Sequence, residues 1–172
     1  MGLVVSGDQA AFAWLVDRHL KRTHALAQRI TGKPQEAEDV AQEAFLRVWI
    51  HAGDWSAQKG RFSTWFYRIV TNLCIDHLRG NSREMVEIDA EWADASPGMA
   101  AQLHRQQLGQ RVAAEVARLP PRQKTALALC YYEGFSNAEA AAILDTTTGA
   151  VEALLVRARR GLQERLAPYA SI

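Results

Sequence analysis

The segment from Phe62 to Arg79, FSTWFYRIVTNLCIDHLR, restricts the possible fold more than any other part of the chain. Its apolar residues recur with the spacing of one helix face, at Phe62, Trp65, Phe66, Ile69, Val70 and Leu73. We therefore predict a helix that buries this stripe. The opposite side is not an ordinary solvated surface, since it combines aromatic, amide and guanidinium groups at Tyr67, Arg68, Thr71, Asn72, Ile75 and Arg79. Such side chains suit contacts with unpaired bases and their phosphates.

Two helices are predicted before this segment. A capping-box pattern at Ser6–Gln9 opens the first, whose apolar face ends before Gly32. The second begins near Pro34, because proline is tolerated in a first helical turn, and extends to about Ile50. Beside its apolar stripe, this second helix carries an acidic and partly apolar group at Asp39, Gln42, Glu43 and Leu46. The group is either a solvated surface or a docking surface for a basic partner helix.

A loop between the second helix and the Phe62–Arg79 helix adds a second aromatic and basic group, at Trp55, Lys59 and Arg61. Together with Tyr67, Arg68, Asn72 and Arg79 of the helix, it forms a candidate nucleic-acid surface. Two plain alternatives stay open for its members. Trp55 could cover the edge of a helical bundle, and Asn72 could be a solvated polar group.

The helical pattern stops after Gly80, and residues 81–100 have no sustained periodicity. This stretch has a net charge of −4, against +2 for residues 1–80 and +3 for residues 101–172. It predicts a flexible acidic linker between two small helical domains, at 1–80 and 101–172. No strand pattern of useful length is present, so the predicted fold is all-α.

The carboxyl-terminal part predicts a helix-turn-helix. A helix begins at Pro120-Pro121 and runs through Tyr132, a capping box at Ser136–Glu139 opens a short helix, and a final helix extends to about Leu166. The exposed side of the final helix offers Ala153, Val156, Arg157, Arg159 and Arg160. An arginine such as Arg157 can reach a guanine edge or a phosphate. The alternative is a plain helical hairpin with solvated arginines.

Several functional classes are disfavoured by what the sequence lacks. It has no phosphate-binding GxxxxGK[ST] loop, no HExxH, no GxSxG and no cluster of histidines and cysteines. We expect no enzyme activity, no cofactor and no metal. No run of eighteen apolar residues or secretory signal is present, which predicts a cytoplasmic protein without membrane insertion. The net charge of only +1 is small for a protein that holds duplex DNA by itself.

Three segments, in this order, closely resemble the small extracytoplasmic-function (ECF) sigma factors of bacterial RNA polymerase, which keep only regions two and four. AEDVAQEAFLRVW at 37–49 resembles region 2.2, and FSTWFYRIVTNLCIDHLR resembles regions 2.3 and 2.4. The segment from Leu119 to Leu162 resembles region four. The resemblance implies a sigma factor that binds core polymerase, recognises and melts promoter DNA, and starts transcription in a stress or environmental response.

The resemblance also implies roles for the candidate residues. Asp39, Gln42, Glu43 and Leu46 match the surface that docks on the clamp coiled coil of the polymerase β′ subunit, and the region-four domain would meet the β flap. Trp55 and Asn72 match the pocket for a base flipped from the minus-ten element, with Lys59, Arg61, Tyr67, Arg68 and Arg79 beside it. Ala153, Val156, Arg157, Arg159 and Arg160 would read the minus-thirty-five element. An anti-sigma factor is the expected inhibitor.

One departure from the family pattern stands in the final helix. The family usually has GTVKSRLHRAR there, whereas this chain has GAVEALLVRAR. Glu152 and Leu154 replace residues that are commonly basic, so we expect weaker duplex affinity and a flatter salt dependence. The alternative function is a stand-alone helix-turn-helix regulator whose amino-terminal bundle senses a signal or dimerises.

Overall fold

The computed structural model describes residues 1–80 and 109–169, apart from the side chain of Lys59. The predicted linker at 81–100 lies outside these residues. Every regular element in the two described ranges is helical, which confirms the all-α prediction. We refer to residues 1–80 as the first lobe and to residues 109–169 as the second lobe.

The first lobe consists of a short helix α1 (Gly2–Val5) and three longer helices: α2 (Gln9–Thr31), α3 (Pro34–Ile50) and α4 (Phe62–Gly80). Two 3-10 turns, Ala52–Asp54 and Ala57–Lys59, connect α3 to α4. The predicted capping box at Ser6 is wrong. Asp8 caps α2 by accepting a hydrogen bond from the Ala11 N–H at 3.0 Å, because the Ser6 hydroxyl instead donates to the Leu3 carbonyl at the end of α1.

The second lobe begins with α5, which is helical over residues 109–117. Helix α6 (Pro121–Leu127) then continues as a π-helical turn, Ala128–Tyr132, and is followed by α7 (Asn137–Ile143) and α8 (Thr148–Leu166). The predicted capping box at Ser136 is confirmed, since the Glu139 N–H donates to the Ser136 hydroxyl and the Ser136 N–H donates to the Glu139 carboxylate. The Thr147 hydroxyl caps α8 by accepting a hydrogen bond from the Ala150 N–H at 3.2 Å, and α7 and α8 form the predicted helix-turn-helix.

The two lobes share one hydrophobic core. Helix α4 packs on α2 and α3 within the first lobe and also on α6 and α7 of the second. The most deeply buried large side chains come from both lobes and include Leu26, Ile30, Phe66, Val70, Leu129, Ile143 and Val151. The arrangement of the lobes therefore decides which faces of α4 reach solvent.

Candidate functional site

The four residues predicted to dock a partner lie together on α3. Leu46 is 51% exposed, so about half of its side chain is left for contact with a partner. Glu43 accepts a hydrogen bond from the Arg47 guanidinium at 2.8 Å, and the side chains of Asp39 and Gln42 are exposed. All four line a groove of about 690 Å³, whose other wall is formed by the end of α4 with Leu73, Asp76, His77 and Gly80. Sequence reasoning missed this second wall, since the pattern of α3 alone does not reveal what lies beside it.

The groove has a chemical character that favours a basic, partly apolar helix. Carboxylates stand on both walls, at Asp39 and Glu43 on α3 and at Asp76 on α4, and they outnumber the guanidinium of Arg47, while Leu46 supplies apolar surface. Complementary charge steers a partner and fixes its register, and the apolar contact contributes affinity. The arrangement can therefore hold a helix that carries lysines or arginines along one side and leucine-like residues along another.

Trp55 and Asn72 belong to the candidate nucleic-acid surface of the first lobe, and their surroundings differ. The Trp55 ring packs edge-on against Phe62, with centroids 6.3 Å apart, and the residue is half-buried. Its indole Nε1 is buried without a hydrogen-bond acceptor among the described residues. Trp55 thus packs on the first turn of α4, and the rest of its ring stays exposed. Asn72 and Arg79 are exposed on α4.

Three residues on the candidate nucleic-acid side of α4 are buried in this structure. Tyr67 is only 3% exposed, and Thr71 and Ile75 are 0% and 6% exposed. Tyr67 is covered by Phe135 of the second lobe, with ring centroids 5.2 Å apart. Burial raises the pKa of the Tyr67 phenol to about 12, partly offset by the nearby Arg22 guanidinium. The periodicity of α4 could not reveal this burial, because the covering residues are distant in sequence.

Arg61 and Arg68 also meet the second lobe. The Arg61 guanidinium lies 3.4 Å from the Glu139 carboxylate. The Arg68 guanidinium donates to the Ala142 carbonyl at 2.8 Å, and it lies 3.4 Å from the Asp145 carboxylate. Arg61 and Arg68, two of the cations predicted to hold phosphates, therefore face carboxylates near the two ends of α7.

The structure contains an ion cluster around Glu133 that was not predicted from the sequence. The Glu133 side chain is only 3% exposed, and its carboxylate accepts hydrogen bonds from Arg22 and, at 3.3 Å, from Arg29. Arg22 also donates to the Glu133 carbonyl at 2.8 Å. The hydrogen bond to Glu133 raises the pKa of Arg22. The available signal was the seven-residue spacing of Arg22 and Arg29, which places both on one face of α2.

The surface predicted to bind duplex DNA lies on α8 and is exposed to solvent. Each residue predicted to read duplex DNA is exposed, namely Ala153, Val156, Arg157, Arg159 and Arg160. Arg160 also pairs with Glu164, one turn later, at 2.9 Å. Leu154 is half-buried and packs against the core, so its apolar character serves the fold, while Glu152 is exposed on the helix surface.

Comparisons with known proteins match both lobes. Residues 15–84 match the family "Sigma-70 region 2", and residues 109–162 match "Sigma-70, region 4". The chain is 33% identical to the ECF RNA polymerase sigma factor SigW of Bacillus subtilis, an alignment that covers 95% of this chain and 92% of SigW. It belongs to the ECF sigma factors. A 36% identity to SigE of Mycolicibacterium smegmatis covers 96% of this sigma factor and 66% of SigE.

Solved structures agree with the fold of this ECF sigma factor. The structure of CnrH in complex with the cytosolic domain of CnrY superposes with a TM-score of 0.71 at 27% identity, covering 97% of this chain and 94% of the other. The sigma factor RpoE of Bartonella quintana, solved with the anti-sigma factor NepR, shares the fold with a TM-score of 0.69 at 22% identity, covering 91% and 97% of the two chains.

Membership of this family makes the chain a transcription initiation factor and excludes the alternative of a stand-alone regulator. Among the described parts of this sigma factor, no helix is long and apolar enough to cross a membrane. The same residues contain no group of three or more potential ligands arranged to hold a metal ion.

Proposed function

We propose that this sigma factor docks on core RNA polymerase through the groove between α3 and α4, with the clamp coiled coil of the β′ subunit as its occupant. The observation that carries this proposal is that Asp39, Gln42, Glu43 and Leu46 all line one groove. A docking surface needs exposed apolar area together with charge of one prevailing sign. Leu46 supplies the apolar area, and three carboxylates against one guanidinium, that of Arg47, supply the negative charge. We also propose that the second lobe contacts the flap of the polymerase β subunit.

We further propose that the first lobe captures a base flipped from the minus-ten element. Trp55 and Asn72 would line the pocket, with Lys59, Arg61, Tyr67, Arg68 and Arg79 beside the strand. Flipping a base costs a few kcal/mol, and an aromatic platform returns roughly 1–3 kcal/mol per stacked base. Because these terms nearly cancel, a small protein can trap transiently opened DNA without ATP, provided that the polymerase supplies the remaining contacts.

Helix α8 is proposed to read the minus-thirty-five element in the major groove. The exposed row of Ala153, Val156 and Arg157 supports this role, since side chains of this kind reach base edges and thymine methyl groups. Arg159 and Arg160 are placed for phosphates. On this proposal, residues 1–80 bind polymerase and the minus-ten element, residues 101–172 bind the minus-thirty-five element, and the acidic linker at 81–100 connects them.

Anti-sigma control is part of the proposal. CnrH was solved with the cytosolic domain of CnrY and the Bartonella quintana RpoE with the anti-sigma factor NepR, and the match to CnrH covers 97% of this chain. We propose that an anti-sigma factor likewise restrains this sigma factor in the cytoplasm until a stress or environmental signal releases it.

Run-off transcription tests the proposed function. Core polymerase with this chain should start at a cognate promoter, mapped from start sites after overexpression, while core polymerase alone should not. A double substitution, Glu43→Lys with Leu46→Glu, should abolish both polymerase binding and specific starts. Normal initiation by that variant would contradict the docking groove, and failure of the wild-type chain to bind core polymerase would contradict the function as a whole.

A further inference from the structure

Glu152 carries an unpaired carboxylate in the first turns of α8. The residue is exposed, and no described residue donates a hydrogen bond to its side chain or forms an ion pair with it. The helix does not neutralise this charge either, because no lysine, arginine or histidine stands three or four residues away on either side. Glu164, the other acidic residue of α8, is by contrast held by Arg160 at 2.9 Å. The Glu152 carboxylate is therefore available to a ligand outside the chain.

The side of α8 that points away from the protein carries short side chains. Opposite the buried residues of this helix lie Gly149, Ala153 and Val156, all near one line along the axis. A Cβ atom added at Gly149 would meet nothing within 4 Å, so the helix surface is open there. Glu152 and Arg157 stand on the two sides of this line. Short residues let the helix approach the floor of a major groove, where the two longer side chains can reach base edges.

The chemistry of the major groove decides which base suits a carboxylate. Guanine presents two acceptors there, thymine an acceptor and a methyl group, and adenine an acceptor beside its amino group, whereas cytosine presents only its N4 amino donor. An ionised carboxylate accepts hydrogen bonds and donates none. It therefore fits cytosine and is repelled by the acceptors of the other three bases. A carboxylate that meets no donor also loses water without compensation, which weakens binding.

We propose that Glu152 selects a cytosine in the minus-thirty-five element by accepting a hydrogen bond from the N4 amino group. This inference rests on the proposed function, because it requires α8 in the major groove. Arg157 follows five residues later, about 7.5 Å along the helix axis, so it reads a different position of the element. The Glu152 carboxylate lowers affinity for DNA in general, since it repels phosphates, but it increases discrimination against sequences that lack the cytosine.

Transcription from a promoter library tests this assignment. The library is a cognate promoter with a randomised minus-thirty-five element and a barcode in the transcribed region, and it is transcribed by core polymerase with the full-length chain. We expect the wild type to require cytosine at one position, where each other base lowers output on the order of tenfold. Glu152→Gln should change that preference from cytosine to adenine, because an amide donates to N7 and accepts from the N6 amino group. Glu152→Ala should remove the preference at that position alone.

The competing explanation is that Glu152 only repels phosphates. Glu152→Ala would then raise output from every sequence and keep the wild-type base preferences. We instead expect its output from the best wild-type promoter to fall on the order of tenfold, because one specific base contact is lost. Glu164→Gln is the charge-matched control, since it removes a carboxylate from the same helix, and its base preferences should equal those of the wild type. Unchanged preferences in both Glu152 variants would overturn the proposal.

The wild-type chain distinguishes this inference from the proposed function. If the wild type directs specific starts but shows no requirement for cytosine, or if the Glu152 variants share its preferences, only the role of Glu152 is wrong. If the wild type directs no start from the cognate promoter, the proposed function fails, and the assignment of Glu152 fails with it.

Discussion

Tyr67 of α4 and Phe135 of the second lobe pack edge to face, with ring centroids 5.2 Å apart and ring planes at 72°. Arg22 lies near both rings, with its guanidinium carbon 5.9 Å from the Tyr67 centroid and 6.0 Å from that of Phe135. The contact therefore joins an aromatic pair to the Glu133 ion cluster. We therefore expect the contact to couple the stability of the two lobes, although they carry different proposed functions.

Phe135→Ala should uncouple the lobes. We expect a loss of roughly 2–3 kcal/mol, below the range for a fully buried phenylalanine because Phe135 is only partly buried. Four of the five tryptophans lie in the first lobe, so tryptophan fluorescence mainly reports that lobe, while circular dichroism reports both. The wild-type urea transitions should coincide by the two probes, and those of the variant should separate.

Tyr131→Ala is the matched aromatic control for this experiment. Tyr131 is 58% exposed, so its removal should change the free energy of unfolding by no more than about 0.5 kcal/mol and keep the transitions coincident. Separate transitions in the wild-type chain would show that the Tyr67–Phe135 contact does not couple the lobes.

Leu46→Glu should weaken binding to core polymerase by on the order of tenfold or more, since an apolar anchor in a docking groove is replaced by a charge. Its free energy of unfolding should stay within about 0.5 kcal/mol of the wild type, because Leu46 is exposed. Ile50→Glu is the control, since Ile50 is 62% exposed on the same helix but does not line the groove. Equal affinities of the two variants in a fluorescence titration would contradict the assignment of the groove.

Arg157→Ala should reduce transcription from promoters that depend on the upstream element. If Arg157 contacts a guanine, the loss corresponds to about 1–3 kcal/mol of binding free energy and relaxes specificity at one base pair. Arg118→Ala removes an exposed arginine outside α8 and should leave transcription unchanged. Unchanged run-off transcription by Arg157→Ala would contradict the proposed orientation of α8.

The helices themselves were largely predictable from local signals. The Phe62–Gly80 helix follows from its apolar spacing, and the α7 boundary follows from the Ser136–Glu139 capping box, which needs only residues three apart. The start of α2 was misplaced because two residues, Ser6 and Asp8, compete as caps. The structure assigns the cap to Asp8 by placing a short helix before it.

The surroundings of the candidate site were less predictable than its helices. Tyr67 and Phe135 are far apart in sequence, and nothing in the pattern of α4 indicates that a second lobe covers it. The same holds for Glu133, whose partners are more than one hundred residues away. Packing between distant segments decides which polar residues face solvent, and one sequence carries no direct record of that packing.

The pH dependence of stability should contain a contribution from Glu139. Hydrogen bonds from the Ser136 N–H and hydroxyl lower the pKa of this carboxyl, so the folded state favours the carboxylate. The contribution is therefore complete above the unfolded pKa of about 4.3 and is lost as pH falls through the lower folded pKa. The difference in unfolding free energy between the wild type and Glu139→Gln should shrink between neutral pH and about pH 3. In a Ser136→Ala background the decrease should be smaller, and an equal decrease would contradict this cause.

The two cysteines should react very differently with iodoacetamide in the native protein. Cys74 is 0% exposed, and burial raises the pKa of its thiol to about 12, so almost no reachable thiolate exists at pH 8. Cys130 is half-buried, and burial raises its thiol pKa as well, which predicts slow but measurable alkylation. Peptide mass spectrometry should detect modified Cys130 well before modified Cys74, whose reaction must wait for the core to open. In concentrated urea both should be alkylated at similar rates. Rapid native alkylation of Cys74 would show that α4 leaves the core far more often than its burial implies.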